Sequence, residues 1–156
     1  MELMVVLVIV TILAVVAVPA FITYLQTNRL IGASQQLYDA LQNARSEAIK
    51  RNVTMYVTFQ TGSNWCYGLN PSATCNCASG TTCTLGNTAV TSSPLTLSTS
   101  GLTNNAITFE PNHGAANVSG TVTLTSSNGN AISVKVRLLG DLLICSANVS
   151  GYSACS

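Results

Sequence analysis

The chain has 156 residues, only 7% of them charged, with a formal net charge of +1. That balance carries no basic footprint of a duplex nucleic-acid partner. Six cysteines, an even number, all fall after residue 65 in a stretch rich in Ser, Thr, Asn and Gly. Together they read as disulfides formed outside the cytoplasm in an exported β-rich domain.

Leu3 to Ile22, LMVVLVIVTILAVVAVPAFI, is an uncharged apolar run headed by Glu2. Its length and composition predict a membrane-spanning helix. No basic residue precedes Arg29, and Pro19 follows directly on the small-residue stretch Val16-Ala17-Val18, so a retained anchor is expected rather than a cleaved signal. Residues 3–51 read as one helix, roughly 70 Å long, interrupted at Pro19 by a kink or a loosened segment. Beyond Pro19 the pattern changes. Leu30, Ala33, Leu37, Leu41, Ala44 and Ala48 recur every three or four residues as one stripe. Arg29, Gln36, Asp39, Asn43, Glu47 and Lys50 lie off it. This half should pack on the chain's own globular part, its alanines allowing close approach. The chain therefore divides into 1–27, the apolar half of the helix, and 28–156, made of an amphipathic half (28–51) and a β-rich part (52–156).

Asn52 closes the helix. Met55 to Phe59 predicts a strand, and Thr61-Gly62-Ser63-Asn64 a turn that leads into Trp65 to Leu69. Residues 70–84, NPSATCNCASGTTCT, read as a loop. Leu95 to Leu97 and Ala106 to Phe109 are short strand candidates, and Pro111-Asn112-His113-Gly114 a turn. Thr121 to Thr125 and Ala131 to Leu138 form a hairpin about Ser127-Asn128-Gly129, with Asn-Gly as its signal. In its second strand Ile132, Val134, Val136 and Leu138 are expected to share one face, with Ser133, Lys135 and Arg137 on the other. Cys145 and Cys155 suit a C-terminal staple. Cys66, Cys75, Cys77 and Cys83 should staple the 66–83 loop, their pairing open. The fold class is α+β: a long N-terminal helix on an antiparallel β-rich domain with disulfide-stapled loops.

No chemistry of catalysis is written here. His113, Glu110 and Asp141 define no Ser–His–acid or paired-carboxylate pattern, and Cys75-Asn76-Cys77 is too tight for a zinc knuckle. No enzyme activity, metal or cofactor is expected. Lys135 and Arg137 read first as solvated strand charges and only second as a weak DNA-contact patch. Trp65, Tyr67 and Tyr152 suit core or loop packing better than base stacking.

The segment from Glu2 through Val10, with Ile12-Leu13-Ala14 and Val18-Pro19, resembles the N-terminal helix of type IV pilins and type II secretion pseudopilins. Two further stretches, Ala44 to Asn52 and Ile107-Thr108-Phe109 with Pro111, Gly114, Arg137-Leu138-Leu139-Gly140 and Ile144-Cys145, are similar to the FimT, FimU and GspH subfamily of minor pilins and pseudopilins. The resemblance implies a structural filament subunit, foremost a minor pilin in pilus assembly or priming. A GspH-like pseudopilin, a DNA-binding competence pilin and the main pilin of its filament are the alternatives. It implies that Glu2 pairs with the N-terminal amine of a neighbouring subunit, and that the segment about Pro19 loosens as subunits pack. It implies other pilin subunits, an inner-membrane assembly platform and the lipid bilayer as partners, and a single-pass inner-membrane protein with a periplasmic domain before assembly.

Two departures bear on those expectations. Relatives carry a leader and an N-methylated phenylalanine ahead of the glutamate. Here Met1 precedes Glu2, so either the start is trimmed or misassigned or processing is not normal. The Gly-Arg-x-Arg stretch with which some relatives take up DNA reads Gly140-Asp141-Leu142-Leu143 here.

Overall fold

The computed structural model of the chain describes residues 2–90 and 93–155. Within its first helix the side chains of Glu2, Leu3, Val5, Leu13, Ala14, Val16, Ala17, Pro19 and Ala20 lie outside that description. That helix, α1 (Glu2–Arg51), is a single α-helix of 50 residues, about 75 Å long at 1.5 Å per residue. The helix continues through Pro19. Its C-terminus is closed by backbone geometry. Asn52 takes φ 52°, its N–H bonds Ile49 O at 3.3 Å, and Val53 N–H bonds Ala48 O at 3.2 Å. This is a Schellman closure with Asn in the left-handed position, and Val53 and Ala48 supply its apolar contact.

Eight strands follow: β1 (Met55–Gln60), β2 (Cys66–Pro71), β3 (Gly86–Ala89), β4 (Leu95–Ser100), β5 (Ala106–Phe109), β6 (Gly120–Ser126), β7 (Ala131–Val136) and β8 (Leu142–Cys145). They form two four-stranded antiparallel sheets, ordered β3-β2-β1-β5 and β4-β6-β7-β8. The backbone of Gly62, just beyond β1, pairs with Leu97 of β4 and ties the sheets together. α1 packs on β1 and β5 of the first sheet and on β6, β7 and β8 of the second.

The core lies where the helix stripe meets both sheets. Leu30, Leu37, Leu41, Ala44 and Ala48 are fully buried, with Val57, Ile107, Phe109, Val122, Leu124, Ile132 and Val134 around them. Each buried leucine stabilises the fold by about 1.5–3 kcal/mol relative to exposure. The expected stripe holds except at Ala33, which is half-buried; its neighbour Ser34 is the fully buried side chain there. One strand expectation is corrected, and one strand was not foreseen. β7 ends at Val136, and Leu138 points to solvent, 58% exposed, instead of joining Ile132, Val134 and Val136. The backbone turns there because Arg137 N–H bonds Asp141 O and Gly140 N–H bonds Arg137 O. Beyond the cysteine loop, Gly86–Ala89 forms a strand that its composition does not announce, through antiparallel pairing with the edge of β2.

Candidate functional site

The face most open to a function is the bare half of α1. Met4, Val6 to Val10, Ile12, Val15, Val18, Phe21, Ile22 and Leu25 are all exposed, and among the described side chains of α1 the first fully buried is Leu30. The change from bare to packed helix is marked by a polar clasp. Asn130 Nδ2 donates to Thr27 Oγ1 at 3.2 Å and Asn128 Nδ2 at 3.5 Å, so the β6–β7 turn grips the helix where it enters the domain. Glu2 heads α1 and Pro19 lies inside it; the side chains of both fall outside the described residues. Among the described residues no helix is long and apolar enough to cross a membrane. Eight side chains of the Leu3–Ile22 run lie outside that description.

All six cysteines are paired: Cys66 with Cys77, Cys75 with Cys83, and Cys145 with Cys155. The first two bonds interlace within the 66–83 loop and lie over Gly68. A β-carbon at that glycine would collide with Cys83 Sγ and sit 2.8 Å from Cys75 Sγ. The third closes the C-terminal loop, which is braced internally. Buried Ser146 donates to Ala131 O at 2.6 Å and accepts from the backbone N–H of Asn148 and Val149.

Lys135 and Arg137 come together at an open pocket of about 320 Å³, lined also by Ser100, Ser119 and Thr121. Arg137 lies past the end of β7 and reaches Asp141 Oδ2 at 3.5 Å, both side chains well exposed. Arg45 is not part of that pocket. It lies under two turns, its Nε buried and without a hydrogen-bond partner. Trp65 and Tyr67 are buried and stacked at 6.4 Å between ring centroids, so neither is presented to a base. His113, Glu110 and Asp141 are exposed turn residues, and among the described residues no metal-holding group of His, Cys, Asp or Glu gathers. On α1, Arg51 Nε donates to Glu47 Oε2 at 2.6 Å, and Lys50 approaches Glu47 Oε1 at 3.6 Å. The Arg51 hydrogen bond first, then the charges of Arg51 and Lys50, hold the Glu47 carboxyl below its ordinary value against an opposing burial effect.

Two features escaped the sequence reading. The Thr27 clasp had no signal beyond the Asn-Gly turn, and the outward Leu138-Leu139 pair was hidden by an alternation that runs past the end of the strand.

A helical spine half packed on antiparallel sheets and half bare is the build of a pilin-like filament subunit. The family model described as type II transport protein GspH matches residues 33–141, and the chain belongs to that family. No curated protein and no solved structure matches it. Membership carries a pseudopilin-type structural role at the cell envelope, with other pilin-like subunits as the partners for assembly.

Proposed function

We infer that the chain is a minor subunit of a type IV pilus-like filament, active in its assembly or priming. Residues 1–27 hold it in the inner membrane and 28–156 form its periplasmic domain until it is drawn into the filament. The carrying observation is the run of exposed apolar side chains from Met4 to Leu25 on a helix whose other half is buried in its own domain. Such a surface is costly in water. It is relieved by lipid before assembly and by like helices afterwards. Glu2 guides docking by pairing with a neighbour's N-terminal amine, since a carboxylate in an apolar bundle is costly unless paired, and the Pro19 segment adapts as helices pack.

Glu2→Ala is expected to leave the chain in the membrane fraction but absent from sheared filaments. Recovery of the variant in filaments at the wild-type level would overturn the reading. A second reading, a pseudopilin that helps drive type II secretion, is favoured by the description of the matching family. Deleting the gene separates the two: loss of surface pili supports the first, retention of exoproteins in the periplasm the second.

A further inference from the structure

Beyond the bare half of α1, the described residues expose three large apolar side chains: Ile49 at 46%, Leu138 at 58% and Leu139 at 82%. They gather at one end of the domain. Gly114 lies over Arg45 and Ile49, so that a β-carbon there would come within 3.0 Å of Ile49 Cδ1. Gly140, next to Leu139, is pressed so closely on Gly114 that a β-carbon would strike the Gly114 carbonyl. The leucine pair is therefore held above the last turns of α1.

It is also held rigidly. Gly140 N–H bonds Arg137 O at 2.8 Å, Arg137 N–H bonds Asp141 O at 3.0 Å, and Ala116 N–H bonds Leu138 O at 3.0 Å. Gly140 takes φ +76°, which a glycine adopts without strain. A turn this well tied, with its leucines facing outward, is built to be covered. Ion pairs lie at its border: Arg137 reaches Asp141, and Lys50 and Arg51 share Glu47.

We propose that this knob is a docking surface for the bare apolar helix of an adjoining pilin-like subunit. The proposal rests on the filament reading and names a contact within it. The chain shows what such a helix is: uncharged from Leu3 to Asn28 and exposed where described up to Leu25. Ile22 and Ile49 are about 40 Å apart on one continuous helix, so a subunit cannot seat its own apolar half on its own knob. The contact is heterologous, and heterologous contacts that do not close give open filaments. It requires the neighbour to be displaced along the axis by about 36 to 68 Å, the spacing of the knob from the two ends of the apolar half on α1. The chain's own membrane is no rival occupant, because with residues up to 25 in lipid the knob stands about 36 Å further along the helix.

The test uses the full chain in filament-producing cells, with a photo-crosslinking amino acid at position 139 and mass spectrometry of the adduct. The expected adduct joins position 139 to the apolar N-terminal helix of a filament subunit. An adduct to a globular domain or to a protein outside the filament, or none while the chain is present in filaments, overturns the proposal. The double variant Leu138→Ser/Leu139→Ser should keep its three disulfides and its membrane location yet fall at least tenfold in filaments. Unchanged incorporation sinks the knob and leaves the filament reading standing. Absence of the wild-type chain from every filament sinks the filament reading itself.

Discussion

Glu47 shows how a side chain at the domain surface ties local chemistry to solution behaviour. Its side chain is 20% exposed, and Arg51 and Lys50 follow it at the four- and three-residue spacings that meet on a helix. Both cations also fall in the last turn, where they suit the helix dipole. The hydrogen bond from Arg51 is the larger cause of the lowered carboxyl, ahead of the two charges. A carboxyl lowered in the folded state binds fewer protons there than when unfolded. Its stabilisation is present above the ordinary value of 4.5 and lost as pH falls through the lowered one. Glu47→Gln should therefore reduce the thermal midpoint slightly at neutral pH and converge with wild type as pH falls below the lowered carboxyl value. Parallel midpoint curves across that range would show that the pair does not contribute. Asn52 was visible in the sequence as a helix stop. Gly68 was not. It looks like any glycine in a strand, and its necessity comes from two interlaced disulfides whose partners lie up to fifteen positions away.

At the scale of elements, the second half of α1 is the best-specified piece. Leu37 is fully buried at the middle of the stripe, in the half of α1 that packs on both sheets. Leu37→Ala should cost about 2–5 kcal/mol, the transfer loss plus a residual cavity, seen as a lower urea midpoint with an unchanged slope. A loss below about 1 kcal/mol would mean that the helix is not the hub of the core. Periodicity made this stripe legible, and Asn-Gly made the β6–β7 hairpin legible, with Gly129 at φ +84°. The alternating pattern failed at Leu138 because it cannot tell where the ladder stops: hydrogen bonds of Arg137 and Gly140 stop it. β3 was unreadable for the opposite reason. GNTA has little strand propensity of its own and is extended because the edge of β2 was open to it.

For the whole molecule, the contrast between the two halves of α1 governs solubility. Residues 28–156 contain the buried core and all three disulfides. Removal of residues 1–27 should give a monomer that needs no detergent, has no free thiol and shows a single cooperative unfolding transition. Aggregation of that fragment, or a thiol titrating in it, would place part of the fold in the deleted helix. The bare half was plain from hydropathy, and the helix-on-sheet plan from the change of period after Pro19. The partition into two sheets was not, because the chain moves to the second sheet at β4, returns at β5 and leaves again at β6. Local sequence carries no mark of which sheet a strand joins.

The clasp at Thr27 has a mechanical consequence. Asn128 and Asn130 hold the helix at one end of the domain, the Gly114 turn rests on Arg45 and Ile49 near the other, and the core fills the length between. Tension drawn along α1 is therefore borne in shear over the whole embedded length, rather than peeling the sheets away turn by turn. Resistance to such a pull is set by the unfolding barrier and not by equilibrium stability, so the domain resists it as a sleeve fixed along a rod.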